Sequence, residues 1–208
     1  MNKPALFLFF AALLGAAPAY AHKPTFGTGA YGSAGSAFRV ENIEHSIVVY
    51  QELACAARQV WLSFDIPNDG AELFVQLGVP VIERLANYSP TIAVVAPGLP
   101  APSAEVPFTI PAGMGLRVIE TGPRRLFHEP FTNTDSWILS EETMVLPVNG
   151  KGYVVAWDAS GESGKLWVAV GKAETFGLGD LLRFFSWRSQ AQRFHETSGP
   201  APQEPNCR

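Results

Sequence analysis

Residues 59–80, QVWLSFDIPNDGAELFVQLGVP, combine two β-strand patterns with a turn between them. Apolar residues occupy every second position of 59–66 and again of 73–79, which is the period of a strand with one buried face. The turn is Asn68-Asp69-Gly70, a hairpin type of turn. Pro80 ends the second strand because proline has no N–H to donate to a neighbouring strand. This stretch predicts a fold built on short strands.

Similar short apolar runs occur on both sides of this stretch, separated by turns rich in Gly, Pro and Asn. They lie at residues 43–53, 91–96, 106–110, 116–120, 137–146, 152–157 and 165–171. About eight short strands at near-regular spacing predict a mainly β protein, an antiparallel β-sandwich or jelly roll, over residues 41–176.

One convincing helix follows the predicted strands, at residues 179–195. Asp180 stands in its first turn, where an acidic side chain is favoured. Its first half is apolar and aromatic, and arginines give it a basic side. We expect a C-terminal amphipathic helix within 177–196 and a disordered Pro-containing tail at 197–208. The helix either makes a peripheral membrane or partner contact through residues 179–195, or packs against the sandwich as a structural element.

The first 21 residues have the features of an export signal. Lys3 gives a positive start, residues 6–17 are apolar, and Ala19-Tyr20-Ala21 is a small-x-small cleavage site. This predicts a signal peptide at 1–21, a mature chain beginning at His22, and a periplasmic or secreted location. Residues 22–40 are expected to form an irregular lead-in.

The overall charge gives no support to nucleic-acid binding. The 208 residues carry a formal net charge of -4, and removal of Lys3 with the signal peptide makes it more negative. An electrostatic attraction to nucleic acid or to an anionic membrane is therefore not expected from the chain as a whole.

Two cysteines, Cys55 and Cys207, remain after the predicted cleavage. In an oxidising compartment an even number of cysteines favours a disulfide, which would tie the C-terminus to the domain. The alternative is a buried Cys55 and a free thiol in the tail.

Three strand-like runs together resemble the bacterial pre-peptidase C-terminal type of β-sandwich. The runs are VVYQEL at 48–53, VWLSFDI at 60–66 and AELFVQL at 71–77, and GKLWVAVG at 164–171 resembles the closing strand of such a module. The resemblance covers roughly residues 41–171. It implies a non-catalytic accessory or binding domain of an exported protein, and it identifies no set of functional residues.

The segment FHEPFTNTDSW at 127–137 is the predicted functional loop between two strands. It concentrates an imidazole, two carboxylates and three aromatic rings in a turn-rich region, where binding residues are often displayed. The candidate ligand-binding residues are Phe127, Glu129, Phe131, Asp135 and Trp137. Because adjacent residues of a strand point to opposite faces, His128 and Glu129 would act together only if the chain turned sharply at Pro130.

A histidine at a mature N-terminus can bind a metal through both its α-amino nitrogen and its ring. With a second histidine, His22 would make a set of nitrogen ligands suited to copper, resembling the histidine brace of exported copper proteins. His128 is the preferred second ligand, and His45 and His195 are the others. Copper is therefore a candidate cofactor, without an expectation of oxidase chemistry.

Enzyme motifs are missing from the sequence, which has no Gly-x-Ser-x-Gly and no Ser-x-x-Lys. A second binding hypothesis uses tryptophans on a sandwich face as a platform for carbohydrate or peptide, and the alternative is that these rings pack against the core. The candidates are Trp61, Trp137, Trp157 and Trp167. The sequence thus favours an exported, non-enzymatic binding or accessory protein with a protein, glycan or membrane-surface partner. Copper binding and carbohydrate or peptide binding are the alternatives.

Overall fold

The structure, a computed structural model, describes residues 23–27, 31–54, 57–103, 105–175 and 177–198. The predicted signal peptide, His22, Cys55 and Cys207 lie outside these residues. The described chain forms eleven strands and one α-helix. They are β1 (Lys23–Phe26), β2 (Phe38–Arg39), β3 (Ile47–Leu53), β4 (Gln59–Ile66), β5 (Ala71–Pro80), β6 (Thr91–Pro97), β7 (Met114–Ile119), β8 (Arg125–Glu129), β9 (Thr134–Leu146), β10 (Gly150–Trp157), β11 (Gly164–Val170) and α1 (Leu178–Phe194).

The strands form two sheets packed face to face, which confirms the predicted mainly β sandwich with a C-terminal helix. The six-stranded sheet has the order β1-β3-β11-β5-β9-β8, and the five-stranded sheet has the order β2-β4-β10-β6-β7. All neighbouring strands run antiparallel except the pairs β1–β3 and β2–β4, which are parallel.

The two strands of residues 59–80 lie in different sheets. β4 pairs with β10, whereas β5 pairs with β11 and β9. The predicted turn forms between them, with the N–H of Ala71 bonded to the carbonyl of Asn68 at 3.2 Å. Gly70 has a φ of 80°, a left-handed conformation that favours glycine. The turn therefore carries the chain from one sheet to the other, and the prediction of a hairpin turn is wrong because β4 and β5 do not pair with each other.

The main core lies between the two sheets and consists of every second residue of each central strand. Its fully buried members include Leu62 and Phe64 of β4 and Leu73, Val75 and Leu77 of β5. These side chains belong to the apolar sets seen in the sequence, so the period of two correctly predicts which residues face the core.

The outer face of the five-stranded sheet is also apolar, and irregular chain covers it. Its buried members are Trp61, Ala93, Val95, Leu116, Tyr153, Val155 and Trp157. Val106, Phe108 and Ile110 pack onto them, but residues 106–110 form no strand. The strand predicted at 106–110 is wrong because its alternating apolar residues serve a covering loop.

The outer face of the six-stranded sheet carries a third apolar cluster. Val48, Tyr50, Ile138, Trp167 and Ala169 are buried there, with Phe26, Phe127 and Phe194 packed against them. Phe26 belongs to β1, so the predicted lead-in of 22–40 is not entirely irregular. Phe194 belongs to α1, which lies over part of this face.

Candidate functional site

The helix α1 is attached to the six-stranded sheet along one side. Trp187 and Ala191 are buried, and Phe194 packs on Tyr50 with ring centroids 5.1 Å apart. At the first turn, Asp180 accepts a hydrogen bond from the N–H of Gly177 at 3.0 Å and pairs with Lys23 at 3.0 Å. These two contacts lower the pKa of Asp180.

A directed chain of buried hydrogen bonds fixes the other end of α1. The indole N–H of Trp167 donates to Ser136 Oγ at 3.0 Å, and Ser136 lies 3.0 Å from His195 Nε2. His195 Nδ1 lies 2.8 Å from the carbonyl oxygen of Ala191. A carbonyl can only accept, so Nδ1 carries a proton. In the neutral form of His195, Nε2 then accepts from the Ser136 hydroxyl.

The surroundings of His195 oppose its protonation. Burial lowers its pKa from the ordinary 6.5 to about 4, and the charge of Lys165 acts in the same direction. The bond to Ala191 and the charge of Asp135 oppose this decrease. The imidazole is therefore neutral at pH 7, where it can accept the Ser136 proton.

An ionic cluster lies beside this hydrogen-bond chain. Lys165 is 3% exposed, and its Nζ donates to the carbonyl of Phe194 at 3.0 Å and to Glu196 at 2.8 Å. Arg84 donates to both carboxylate oxygens of Glu196, at 3.0 and 2.6 Å. Buried Lys165 is thus paired and hydrogen-bonded, which a buried charge requires. The C-terminal end of α1 is held to the sheet by both networks.

The first half of α1 presents large apolar side chains to solvent. Leu182 is 87% exposed and Phe185 is 79% exposed. Arg183 and Arg188 are exposed as well. The helix is therefore apolar on two sides, one facing the sheet and one facing outward.

The predicted functional loop at 127–137 is mostly a hairpin. Residues 127–129 belong to β8 and residues 134–137 to β9, with the turn at 130–133. In that turn Asn133 has a φ of 54° and its N–H bonds to the carbonyl of Glu129 at 2.8 Å. The prediction of a loop over all of residues 127–137 is wrong, because only the four residues of the turn do not pair with a neighbouring strand.

Three of the candidate ligand-binding residues lie together on the helix side of this hairpin. Phe127, Glu129 and Phe131 line a cavity of about 20 Å³ with Tyr50 and Trp167, which is room for about one water molecule. Burial raises the pKa of Glu129, and the N–H of Phe131, which donates to its Oε1 at 3.1 Å, acts against this increase. The cavity is too small for a ligand to enter without movement of its walls.

The other members of the hairpin point to the opposite side. His128 Nδ1 lies 2.8 Å from Asp135 Oδ1 across the strand pair, and both side chains are about half exposed. Trp137 is partly buried and packs against the main core. The alternation of strand residues therefore separates His128 and Asp135 from Glu129.

The predicted tryptophan platform is wrong for the described surface. Trp61, Trp157 and Trp167 are 1%, 5% and 4% exposed, and Trp137 is partly buried. Residues on the outer face of a sheet are accessible only if nothing covers them. Here α1 and the loop at 106–110 cover the tryptophans. The alternating apolar residues of 106–110 fit a strand as well as a covering loop, so the sequence carries no separate signal for that loop.

The histidines that the structure describes do not converge on one set of ligands. His45 is exposed just before β3, His128 lies in the edge strand β8, and both ring nitrogens of His195 are engaged. Within the described ranges, no group of three or more His, Cys, Asp or Glu residues could hold a metal ion.

The fold and the outward side of α1 define a class, a β-sandwich with a loop over one outer face, a helix over part of the other, and an exposed apolar surface on that helix. No protein-family model matches the chain, and no curated protein matches it either.

Among solved structures, the chain resembles a pre-peptidase C-terminal domain, that of a Bacillus anthracis collagenase. The identity is 9% and the TM-score 0.35, over 64% of this chain and 91% of that one. The periplasmic g-type lysozyme inhibitor PliG of Aeromonas hydrophila is 16% identical, with a TM-score of 0.37 over 73% and 98% of the chains. The surface-associated copper-binding protein CorA of Methylomicrobium album is 9% identical, with a TM-score of 0.28 over 74% and 99%. These likenesses concern the fold and are weak.

Proposed function

We propose that this chain is an exported, non-enzymatic binding protein that contacts a protein partner through the outward side of α1. The observation that carries the proposal is the exposure of Leu182 and Phe185 at 87% and 79%. The export signal at residues 1–21 supports the location, and the resemblance of residues 41–171 to an accessory module supports the non-enzymatic role.

The chemistry of this surface suits a protein interface. Full burial of a Leu or Phe side chain contributes about 1.5–3 kcal/mol, and phenylalanine and arginine are enriched at protein interfaces. Arg183 and Arg188 flank the apolar pair, so the partner surface is expected to be apolar with an acidic rim.

A membrane surface is the less favoured contact. No helix among the described residues is long and apolar enough to cross a bilayer, which concerns spanning helices and not a contact at the surface. Two exposed apolar side chains give only weak interfacial binding, and the chain carries a formal net charge of -4, which opposes attraction to anionic lipid.

Site-specific photo-crosslinking in the producing cell tests this proposal. A benzoylphenylalanine at position 185 should give a discrete protein adduct, and the same probe at exposed Leu126 of β8, which lies outside α1, serves as the matched control. The adduct should disappear when Arg183 and Arg188 are both changed to Glu. Adducts of equal yield from both positions, or none from position 185, would refute the helix as the contact, and an adduct to lipid would favour the membrane.

Copper binding by His22 is the second candidate, and the register of β1 bears on it. Lys23 pairs with Ile47 in β3, and its N–H donates to the carbonyl of Ser46 at 3.0 Å. His45 precedes Ser46, whereas His128 lies in β8 at the opposite edge of the sheet. The copper proposal therefore favours His45 over His128 as the second ligand.

A titration with Cu(II) tests the copper proposal on protein that begins at His22. One extra residue ahead of His22 should abolish tight binding because it removes the free α-amino ligand. His45→Ala should weaken binding more than His128→Ala. Equal affinity of the native and extended proteins would exclude a brace.

A further inference from the structure

The long strand β9 has one edge that is only half occupied. On that side β8 pairs with residues 134–138, and the N–H of Gly122 donates to the carbonyl of Leu139 at 2.9 Å. No strand of the described residues pairs with 140–146 on this side. The second half of β9 is therefore an open sheet edge, which presents unpaired main-chain groups.

The hydrogen bonds on the other side of β9 show which main-chain groups are open. Phe74 of β5 lies opposite Thr143, but its carbonyl accepts from the N–H of Gly171 at 3.2 Å and so points away from β9. In an antiparallel pair only alternate residues exchange hydrogen bonds. The N–H and C=O groups of Glu141, Thr143 and Val145 therefore point to the open edge. Among the described residues these groups have no main-chain partner.

An open groove of about 960 Å³ runs along this edge. Its floor includes residues 99–101, which lie at the free edge of β7 in the other sheet, where the N–H of Leu116 donates to the carbonyl of Pro100 at 2.8 Å. Val118 and Val145, 40% and 59% exposed, add apolar surface to its walls. The groove thus lies where the next strand of the six-stranded sheet would run.

This floor favours a single extended segment over a second copy of the domain. In the fold β7 lies opposite β9, with Arg117 and Glu142 paired across at 2.5 Å. Pairing of two β9 edges would bring the β7 of a second copy to the level at which residues 99–101 lie. A lone strand of a partner occupies only the groove itself.

The charged side chains of the groove favour a basic occupant. The lining carries three carboxylates, Glu120, Glu141 and Glu142, and one cation, Arg117. Arg117 pairs with Glu142, and Arg125 from outside the groove pairs with Glu141 at 3.1 Å. Three carboxylates against two guanidinium groups leave an excess of negative charge, and Glu120 is exposed. A positively charged segment is therefore attracted and a negatively charged one repelled.

We infer that this groove binds an extended segment of a partner protein, added antiparallel to β9, with basic and apolar side chains at alternate positions. Opposed residues of an antiparallel pair share a face of the sheet. The residues that bond to 141, 143 and 145 therefore have side chains on the outer face, beside the Glu141 carboxylate, and these are the basic positions. The intervening residues face the floor at 99–101 and are apolar. Main-chain bonds give such a complex its affinity and alternate side chains its specificity. The groove is separate from the outward side of α1.

The test is titration of the full mature protein with a seven-residue peptide of alternating lysine and valine, acetylated and amidated at its ends. Amide hydrogen exchange, followed by NMR, should slow at Glu141, Thr143 and Val145 and stay unchanged in α1. A peptide of alternating glutamate and valine should bind at least about tenfold more weakly. No added protection with the lysine peptide, or equal binding of both peptides, would overturn the inference. Protection that appears without peptide and rises with protein concentration would assign the edge to a second copy and contradict it.

N-methylation of the peptide separates main-chain pairing from attraction between charges. A methyl group on the nitrogen of one inner lysine replaces an N–H that faces β9, and it should abolish binding. The same change at the central valine replaces an N–H that points to solvent, and most of the binding should remain. Equal losses with the two peptides would contradict pairing to β9.

Thr143→Pro tests the same hydrogen bonds from the protein side. The N–H of Thr143 points to the open edge, so proline removes a donor to the peptide without loss of a bond to β5. Binding of the lysine peptide should weaken by about tenfold. Thr143→Ala is the matched control, since it loses the hydroxyl that accepts from Lys172 but keeps the N–H, and it should bind as the native protein does. Equal affinities of the two variants would contradict the assignment, and the N-methylated peptides decide it if Thr143→Pro does not fold.

Discussion

Different kinds of chain cover the two outer faces of the sandwich: an irregular loop lies over one, and a helix over part of the other. Trp61 lies under an irregular loop and contacts Phe108 and Tyr153 edge to face, at ring centroid distances of 5.1 and 5.5 Å. Trp167 lies on the helix-covered face and takes part in a hydrogen-bond chain with Ser136 and His195.

The termini of a helix explain this difference. The last carbonyl groups of a helix have no partner within it, so a helix end placed against a sheet needs polar groups from the sheet or from its own side chains. The carbonyl of Ala191 accepts from both the backbone N–H and the Nδ1 of His195, and the carbonyl of Phe194 accepts from Lys165. The helix-covered face is therefore expected to respond to pH, and the loop-covered face to packing changes alone.

Trp61→Ala should produce the largest effect, on the loop-covered face. Removal of a fully buried Trp is expected to lower the free energy of unfolding by about 3–5 kcal/mol, measured by urea denaturation at pH 7. The effect should be nearly independent of pH between 4 and 7. A loss below about 1 kcal/mol would mean that the loop at 106–110 does not form a packed cover.

Acidification should selectively destabilise the helix-covered face. The pKa of His195 is about 4 when folded and 6.5 ordinarily, so the unfolded chain binds the proton more readily. The stability that neutral His195 contributes is fully present above pH 6.5 and decreases as the pH falls towards 4. The difference between the two pKa values corresponds to at most about 3 kcal/mol in the free energy of unfolding.

The measurement is denaturation of the native protein and of His195→Gln between pH 7 and 4. The lowered pKa of Glu196 and Asp180 also reduces stability in acid, whereas the raised pKa of Glu129 acts oppositely. These groups remain in His195→Gln, so the difference between the two proteins isolates the histidine. Parallel curves would contradict the assignment to His195.

Ser136→Ala should have an intermediate effect. It removes the partner of both Trp167 Nε1 and His195 Nε2, and a buried group without a partner costs about 1–3 kcal/mol. Ser140 is the matched control, since its buried Oγ has no hydrogen-bond partner among the described residues and Ser140→Ala should be nearly neutral. Equal losses in the two variants, measured by urea denaturation, would contradict a specific role of the hydrogen-bond chain.

Phe185→Asp should have the smallest effect on stability, within about 0.5 kcal/mol, because the side chain is 79% exposed. In the photo-crosslinking experiment, with the probe moved to position 182, Phe185→Asp should abolish the adduct with the partner. A large decrease in the thermal unfolding temperature would instead show that Phe185 packs against the domain.

Local patterns in the sequence predict most of the strands and the helix. The helix predicted at 179–195 is found at Leu178–Phe194, and the strand of residues 59–66 is found with those bounds. The candidate site was predicted less well. Period-two alternation identifies the residues on each face of a strand, but it does not identify what covers that face. The tryptophans therefore appeared to be exposed, and the loop at 106–110 appeared to be a strand.

The sequence by itself determined the strand positions, the turn at Asn68-Asp69-Gly70 and the amphipathic helix, because these depend on neighbouring residues. Only the tertiary structure decided that β4 and β5 belong to different sheets and that His195 is buried next to Ser136. It also brought Leu99, Arg117 and Glu142 together in one groove. These three residues come from separate parts of the chain, and only strand pairing over long sequence distances places them on one surface.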